Sequence, residues 1–189
     1  MDSSRKSAIG IRGERIQFVP LDKALHLENI VNWFNDPEVV RYTSSVFPLS
    51  RLQEEKWFDR VAESKDELHW AVHDESGRHI GVTGLMKIDW QGRRAISGTM
   101  IGEKSAWGKG YGTDIMQTRT RYAFEQMGLH RLESECFVEN KGSARCLEKS
   151  GYRQIGILKK KRWREGRWQD CILWEILDED YFSQATRRL

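Results

Sequence analysis

The sequence predicts a mixed α/β fold built on a mostly antiparallel sheet of seven strands flanked by about four helices. Three observations predict it. Strand-like segments and helix-like segments interleave along the chain, each with its own hydrophobic period. Three successive strand segments, at 70–72, 79–88 and 95–101, are joined only by turn-rich stretches, which makes them hairpins. A glycine cluster (Gly108, Gly110, Gly112) then stands immediately before a helical run.

The elements follow in order. Residues 15–20 alternate apolar and polar side chains and read as the first strand. Leu25, Leu27, Ile30, Val31 and Phe34 recur close to the helical period, and Pro37 ends or restarts that helix. Ser50, with Gln53 at the reciprocal position, caps a second helix whose buried stripe is Trp57, Phe58 and Val61. The strand at 70–72 turns at Asp74-Glu75-Ser76-Gly77 into the strand at 79–88. Gln91-Gly92-Arg93-Arg94 leads into the strand at 95–101. A helix over 114–127 is stopped by Gly128, where a left-handed cap is favoured. A strand at 131–138, a short helix at 142–150 ended by Gly151, and a hairpin of 152–163 with 167–177 around Glu165-Gly166 complete the order β-α-α-β-β-β-α-β-α-β-β.

A chain of 189 residues suits one domain, expected over 14–178, with tails at 1–13 and 179–189. The net charge of +3 is too small to argue for nucleic acid as a partner. No stretch has the length of an apolar membrane span, and the polar residues 1–13 lack the apolar centre of a signal peptide. Cys136, Cys146 and Cys171 are odd in number and widely spaced, which suits reduced thiols in the cytoplasm and neither a disulfide framework nor a metal site.

The segment Trp107-Gly108-Lys109-Gly110-Tyr111-Gly112-Thr113 carries the chemistry. Glycines without Cβ atoms let consecutive N–H groups converge on one ligand, and the helix behind them adds unpaired N–H groups and the positive end of its dipole. The combination is a polyanion cradle, most simply for a diphosphate. Counting excludes two common versions. Five residues separate Gly102 from Gly108, and Lys109 precedes Gly110 where a P-loop requires Ser or Thr. The dinucleotide fingerprint would need glycine at 113, which is Thr113.

The remaining spacing, with Trp107 in the place usually held by Gln or Arg, resembles the acetyl-CoA loop of the GNAT superfamily of N-acetyltransferases. The segment from Val138 through Asn140, Ser143, Arg145 and Gly151 to Tyr152 is similar to that family's strand–Asn–helix–Gly–aromatic unit. The two stand in the family's order, and the likeness runs from about residue 96 to 177. Trp33-Phe34-Asn35-Asp36-Pro37-Glu38-Val39 and Gly166-Arg167-Trp168-Gln169-Asp170 resemble the branch of ribosomal-protein N-terminal acetyltransferases.

The resemblance implies a central pair of parallel strands that splay apart, here 95–101 and 131–138, with the pantetheine arm in the gap. It implies an oxyanion-stabilising N–H near Met100 or Ile101. Acetyl-CoA is then the co-substrate, held by residues 107–113 with Asn140, Ser143 and Arg145, and the acceptor is a primary amine, a protein N-terminus or a small molecule. Glu135, five residues before Asn140, is the first candidate base; alternation places Glu133, Glu135 and Phe137 on one face. Glu103 is the second. Asn140 either caps its helix or contacts the cofactor. The tyrosine that serves many family members as acid, seven residues after the Asn, is Leu147 here. Trp33, Phe34, Tyr42 and Phe47 are candidate walls of the acceptor pocket. The basic run Lys159-Lys160-Lys161-Arg162 is either a charged strand edge or a docking site. A non-catalytic acyl-CoA sensor is the competing function, and a monomer or a homodimer suits either one.

Overall fold

A computed structural model describes residues 11–186. Of the two expected tails, positions 1–10 and 187–189 lie outside the described residues. Eight strands form one sheet: β1 (Ile11–Arg12), β2 (Ile16–Pro20), β3 (Leu68–Asp74), β4 (His79–Asp89), β5 (Arg94–Ile101), β6 (Arg131–Phe137), β7 (Arg153–Arg164) and β8 (Arg167–Leu177). Their order across the sheet is β1-β2-β3-β4-β5-β6-β8-β7. Every neighbouring pair is antiparallel except β5 and β6, which run parallel.

Six α-helices accompany the sheet among the described residues: α1 (Lys23–Phe34), α2 (Pro37–Val40), α3 (Arg51–Glu63), α4 (Tyr111–Glu125), α5 (Lys141–Lys149) and α6 (Asp178–Thr186). The expected counts of seven strands and four helices are thus each exceeded. The additional strand has two residues, too few for alternation to register, and pairs with Phe18 and Gln17. Helix α2 is a single turn begun by Pro37 and capped by Asp36. Helix α6 occupies the start of the expected C-terminal tail; its first turn carries Asp178, Glu179 and Asp180, which suit the positive end of a helix dipole.

The expected capping box is present: Gln53 N–H donates to Ser50 Oγ, and Ser50 N–H donates to Gln53 Oε1 at 2.8 Å. Helices α1 and α3 pack through Leu27, Ile30 and Phe58 against Val82 on one face of the sheet. Helices α4 and α5 bury Met116, Ala123, Phe124 and Leu147 against Leu85, Leu132, Trp174 and Ile176 on the other. The site lies where these two halves meet.

Three histidines weld α1 to the sheet. His26 accepts Asp22 N–H at Nδ1 (2.9 Å), so its Nε2 carries the proton and donates to His73 Nε2 at 3.1 Å. His79 donates through Nε2 to Gly81 O at 3.0 Å and faces the Asn29 amide with Nδ1. Each ring is placed as a neutral imidazole. Burial and the mutual proximity of the rings push His26 down to about 4 and His79 to about 3, against the pull of Asp22 on His26; burial also lowers His73, against the pull of Asp74.

Unfolded histidines protonate near ~6.5. Below that pH the unfolded chain therefore binds more protons than the folded one. Stability is full above the unfolded value and falls with acidification, by up to about 1.4 kcal/mol per pH unit for each such histidine, until the folded values are reached. Urea unfolding at about pH 7 and about pH 5 is expected to show this loss, and His26→Leu with His79→Leu to flatten it.

Candidate active site

The parallel pair at the centre of the sheet is hydrogen-bonded only at its base. Register links Arg94, Ala95 and Ile96 to Arg131, Leu132 and Glu133, and stops there. Both strands continue, β5 to Ile101 and β6 to Phe137, without each other. Two serines stitch the vertex: Ser97 Oγ donates to Glu133 O at 3.1 Å, and Ser134 Oγ donates to Ser97 O at 3.2 Å. Above them the strands diverge into a cleft of about 900 Å³.

The alternation of a strand tells which amides face this gap. Gly102 N–H donates to Ile80 O on the β4 side. Residues 98 and 100 share that direction, whereas residues 97, 99 and 101 point to the β6 side, as the bond from Ser134 to Ser97 O confirms. Thr99 and Ile101 therefore present unpaired N–H groups to the cleft. Of the two candidate oxyanion amides, that of Ile101 opens into the gap, while that of Met100 belongs to the β4 ladder; Met100 still lines the cleft.

At the open end of β5 the chain passes through a short 3₁₀ turn, Lys104–Ala106, into the glycine loop. Gly108 and Gly110 adopt φ of +72° and +91°, a region that L side chains avoid. Gly110 is the N-cap of α4 and supplies no side-chain cap. Among the described residues, no protein acceptor takes the N–H groups of residues 108–112. The loop is fixed from behind: Tyr111 is buried, its hydroxyl donates to Glu75 at 2.8 Å, and Arg15 donates to Lys109 O, Glu75 and the Tyr111 oxygen. Trp107 Nε1 donates to Ile101 O at 2.8 Å. Tyr111 and Trp107 thus shape the cradle, and the backbone of Gly108, Lys109, Gly110 and Gly112 faces outward with Thr113 in the first helical turn. The Lys109 side chain is exposed.

The other predicted residues divide. Asn140 and Ser143 line the cleft, and Asn140 Oδ1 also accepts Ser143 N–H as the N-cap of α5. Arg145 is exposed on α5 and lies away from the cleft lining. Glu135 and Phe137 line the cleft, as do the alternate residues Ser134 and Cys136, and Phe137 packs against Tyr42 at 5.8 Å. The Glu135 carboxylate accepts from Arg162 at 3.1 and 3.3 Å. Glu103 is outside the lining; its carboxylate accepts Ser105 N–H and caps the 3₁₀ turn, which holds it below the usual carboxylate range. Phe34, Tyr42 and Phe47 line the cleft, whereas Trp33 packs against His79 and fills the space left by Gly102, where a Cβ would lie 1.9 Å from its ring.

Two cleft residues escape a reading of the sequence. Glu54, in the first turn of α3, is 4% exposed, and burial alone pushes its carboxyl upward. Arg119 of α4 is fully buried beneath β4 and β5. A signal for the arginine exists: it falls four residues after Ile115 and four before Ala123, on the buried stripe. The basic run is a bulge of β7 pinned by Asp170, which accepts from Lys159 Nζ and Lys160 N–H at 2.8 Å. All three cysteines are free, and no metal-holding group of His, Cys, Asp and Glu occurs among the described residues.

A splayed parallel pair with open amides, beside an amide-rich loop at a helix start, defines an acyltransferase that draws its acyl group from a coenzyme A thioester. Residues 15–153 match the family described as "Acetyltransferase (GNAT) domain". The chain belongs to this family and is an acetyl-CoA-dependent N-acetyltransferase. It is 34% identical over 122 residues to the probable N-acetyltransferase YjcK of Bacillus subtilis (strain 168), covering 62% of this chain and 66% of that one. It is 27% identical over 143 residues to the spermidine N(1)-acetyltransferase of Vibrio cholerae serotype O1 (strain ATCC 39315 / El Tor Inaba N16961), covering 68% and 82%. A crystal structure of spermidine N-acetyltransferase from Vibrio cholerae, in complex with CoA and spermine, superposes with a TM-score of 0.84 at 23% identity over 89% of this chain and 98% of that one. No helix of the described residues is long and apolar enough to cross a membrane.

Proposed function

We propose that the acceptor is a small primary amine with one cationic group on an apolar body. The observation that carries this is Glu54, the cleft carboxylate without a cation partner among the described residues. The second carboxylate, Glu135, is already matched by Arg162. An incoming ammonium thus meets one unpaired carboxylate on this wall, while the unpaired cation of the cleft, Arg119, lies buried beneath β4 and β5. Around it stand Phe34, Tyr42, Phe47, Trp57 and Phe137, which suit an apolar or aromatic body. A polyamine such as the Vibrio cholerae relative's spermidine would leave further ammonium groups against these walls. A peptide N-terminus, as in the ribosomal-protein branch, is the second reading; the exposed Val46 and Phe47 at the cleft mouth favour it by leaving room for a chain to extend.

In this reading Glu54 receives the ammonium, and Glu135 takes the proton that must leave before nitrogen attacks. The Thr99 and Ile101 amides face the thioester, and the 108–112 amides grip the diphosphate. Every group named comes from one chain, so a monomer or a homodimer serves equally. The free cysteines support a cytoplasmic, reducing setting.

The test is an acceptor panel of aryl-alkyl monoamines, spermidine and free-N-terminal peptides, read by release of free thiol from acetyl-CoA. Monoamines are expected to lead. Glu54→Gln is expected to raise the amine KM by about tenfold or more, as loss of a charge-assisted bond implies, and to leave the acetyl-CoA KM unchanged. Spermidine turnover far above the rest, or an unmoved amine KM in Glu54→Gln, would refute the assignment.

A further inference from the structure

Amine attack forms a C–N bond and breaks the C–S bond, and the electron pair of the latter goes to sulfur. Leu147 stands where a tyrosine acid would be, and its hydrocarbon side chain, fully buried, has no ionisable proton. The sulfur must leave as an anion or find its stabilisation elsewhere in the cleft.

We propose that Arg119 supplies that stabilisation, acting as a positioning residue that charges the peptide unit facing the thioester and lets coenzyme A depart as thiolate. One guanidinium nitrogen of Arg119 shares its two N–H groups among Gly98 O at 2.6 Å, Thr99 Oγ1 at 2.6 Å and Thr83 Oγ1 at 2.8 Å. Gly98 C=O and Thr99 N–H belong to the same peptide unit. The carbonyl turns toward β4 and the cation; the N–H turns into the open cleft. A full positive charge on the carbonyl end polarises the unit and strengthens the amide as a donor to developing negative charge.

Among the described residues Arg119 has no counter-charge of its own. No carboxylate of the described residues lies within ion-pair distance of it, and its Nε is buried without a hydrogen-bond partner. The other groups around it are hydroxyls: Thr83 from β4, Thr99 from β5 and, beyond α5, Tyr152. Within the wider cleft, Glu135 is matched by Arg162, and Glu54 sits on the acceptor wall. Burial works against the charge and lowers its pKa. A purely structural role at this position needs no charge, whereas a buried cation is costly unless an anion answers it. The transient thiolate is that anion. Two protons leave nitrogen on the way to the amide: Glu135 takes the first before attack, water takes the second as the tetrahedral intermediate collapses, and the thiolate takes its own from solvent after release.

The inference rests on acetyl transfer from coenzyme A and not on the identity of the amine. Its test therefore uses no acceptor. Coenzyme A bound to the intact protein is titrated by the ultraviolet absorbance of its thiolate. The bound thiol is expected to ionise about one pH unit or more below the free thiol, a tenfold or larger bias. Arg119→Met is expected to return it to the free value, and Arg119→Lys to retain most of the shift. In turnover with whichever amine the panel identifies, Arg119→Met should lower kcat about 10–100-fold with the acetyl-CoA KM within about threefold.

A bound thiol that titrates at or above the free value in the unaltered protein would overturn the proposal, even where the variants fail to fold. Equal losses in the Met and Lys variants would overturn it as well. Neither result would bear on the acceptor.

Discussion

Glu135→Gln is expected to lower kcat by about 10²–10⁴-fold, the usual contribution of a general base. The affinity for coenzyme A should stay within about threefold, because the diphosphate grip lies on another segment. The acceptor enters as ammonium, which has no lone pair, and a proton must leave before nitrogen can attack. Glu135 sits on the splayed part of β6, on the face it shares with Phe137 and Tyr42. Its Oε1 accepts from Arg162, and the Cys171 thiol also lies against the carboxylate, so the group is held in one orientation. Glutamine preserves the shape and loses the ability to take a proton. The residual activity should climb with pH as free amine becomes more abundant, toward ~10.4 for an alkyl amine or ~8 for an α-amine. Steady-state thiol release and calorimetry with coenzyme A separate the two quantities. If kcat survives within threefold, the base is another group, and Glu54 is the next to be replaced.

Gly110→Val is expected to raise the acetyl-CoA KM by about 10²-fold or more while the chain stays folded. A Cβ at Gly110 would meet no protein atom within 4 Å, so the protein itself offers no clash. The obstacle is the backbone angle, φ +91°. A β-branched residue there is strained by about 1–2 kcal/mol or more, and the loop relieves the strain by turning its amides away. Each lost charge-assisted bond to a phosphate oxygen is worth about 1.5–3 kcal/mol, and two such bonds already reach the stated factor. Thermal unfolding of the apo-protein should move by only a few degrees. A variant that binds acetyl-CoA normally would mean that the diphosphate lies elsewhere.

These two residues also show what a sequence can reveal. The geometry of the glycine loop was legible because it is local. Gly108, Gly110 and Gly112 announce a backbone that must adopt unusual angles, and the helix behind them follows directly. The place of Glu135 in the cleft was legible by alternation along one strand. The acceptor side is assembled from segments far apart in sequence, and local pattern carries little of it. Glu54 looks like one of two adjacent acidic residues at a helix start, and only packing of α3 on the sheet buries it. Trp33 and Phe34 are neighbours in sequence, yet Phe34 reaches the cleft and Trp33 fills the void at Gly102. Glu103 stands at the exit of the right strand, but a three-residue turn claims its carboxylate. Arg119 had a visible signal, a charge on an apolar stripe, whose meaning depends on which carbonyl waits opposite it.

The wall around Tyr42 and Phe47 is held by a residue from the far end of the chain. Arg164, beside the tip of the final hairpin, donates to the carbonyls of both Thr43 and Ser45, and Arg41 pairs with Glu165 next to it. Asn35 ties the other end of the same stretch through Leu49. The piece proposed to meet the incoming amine is therefore a strap anchored at both ends, and neither anchor belongs to the glycine loop proposed to grip the diphosphate. Exchanging the strap between its buckles would retune which molecules are accepted and leave the thioester chemistry in place, so diversification of this enzyme has a natural unit about ten residues long.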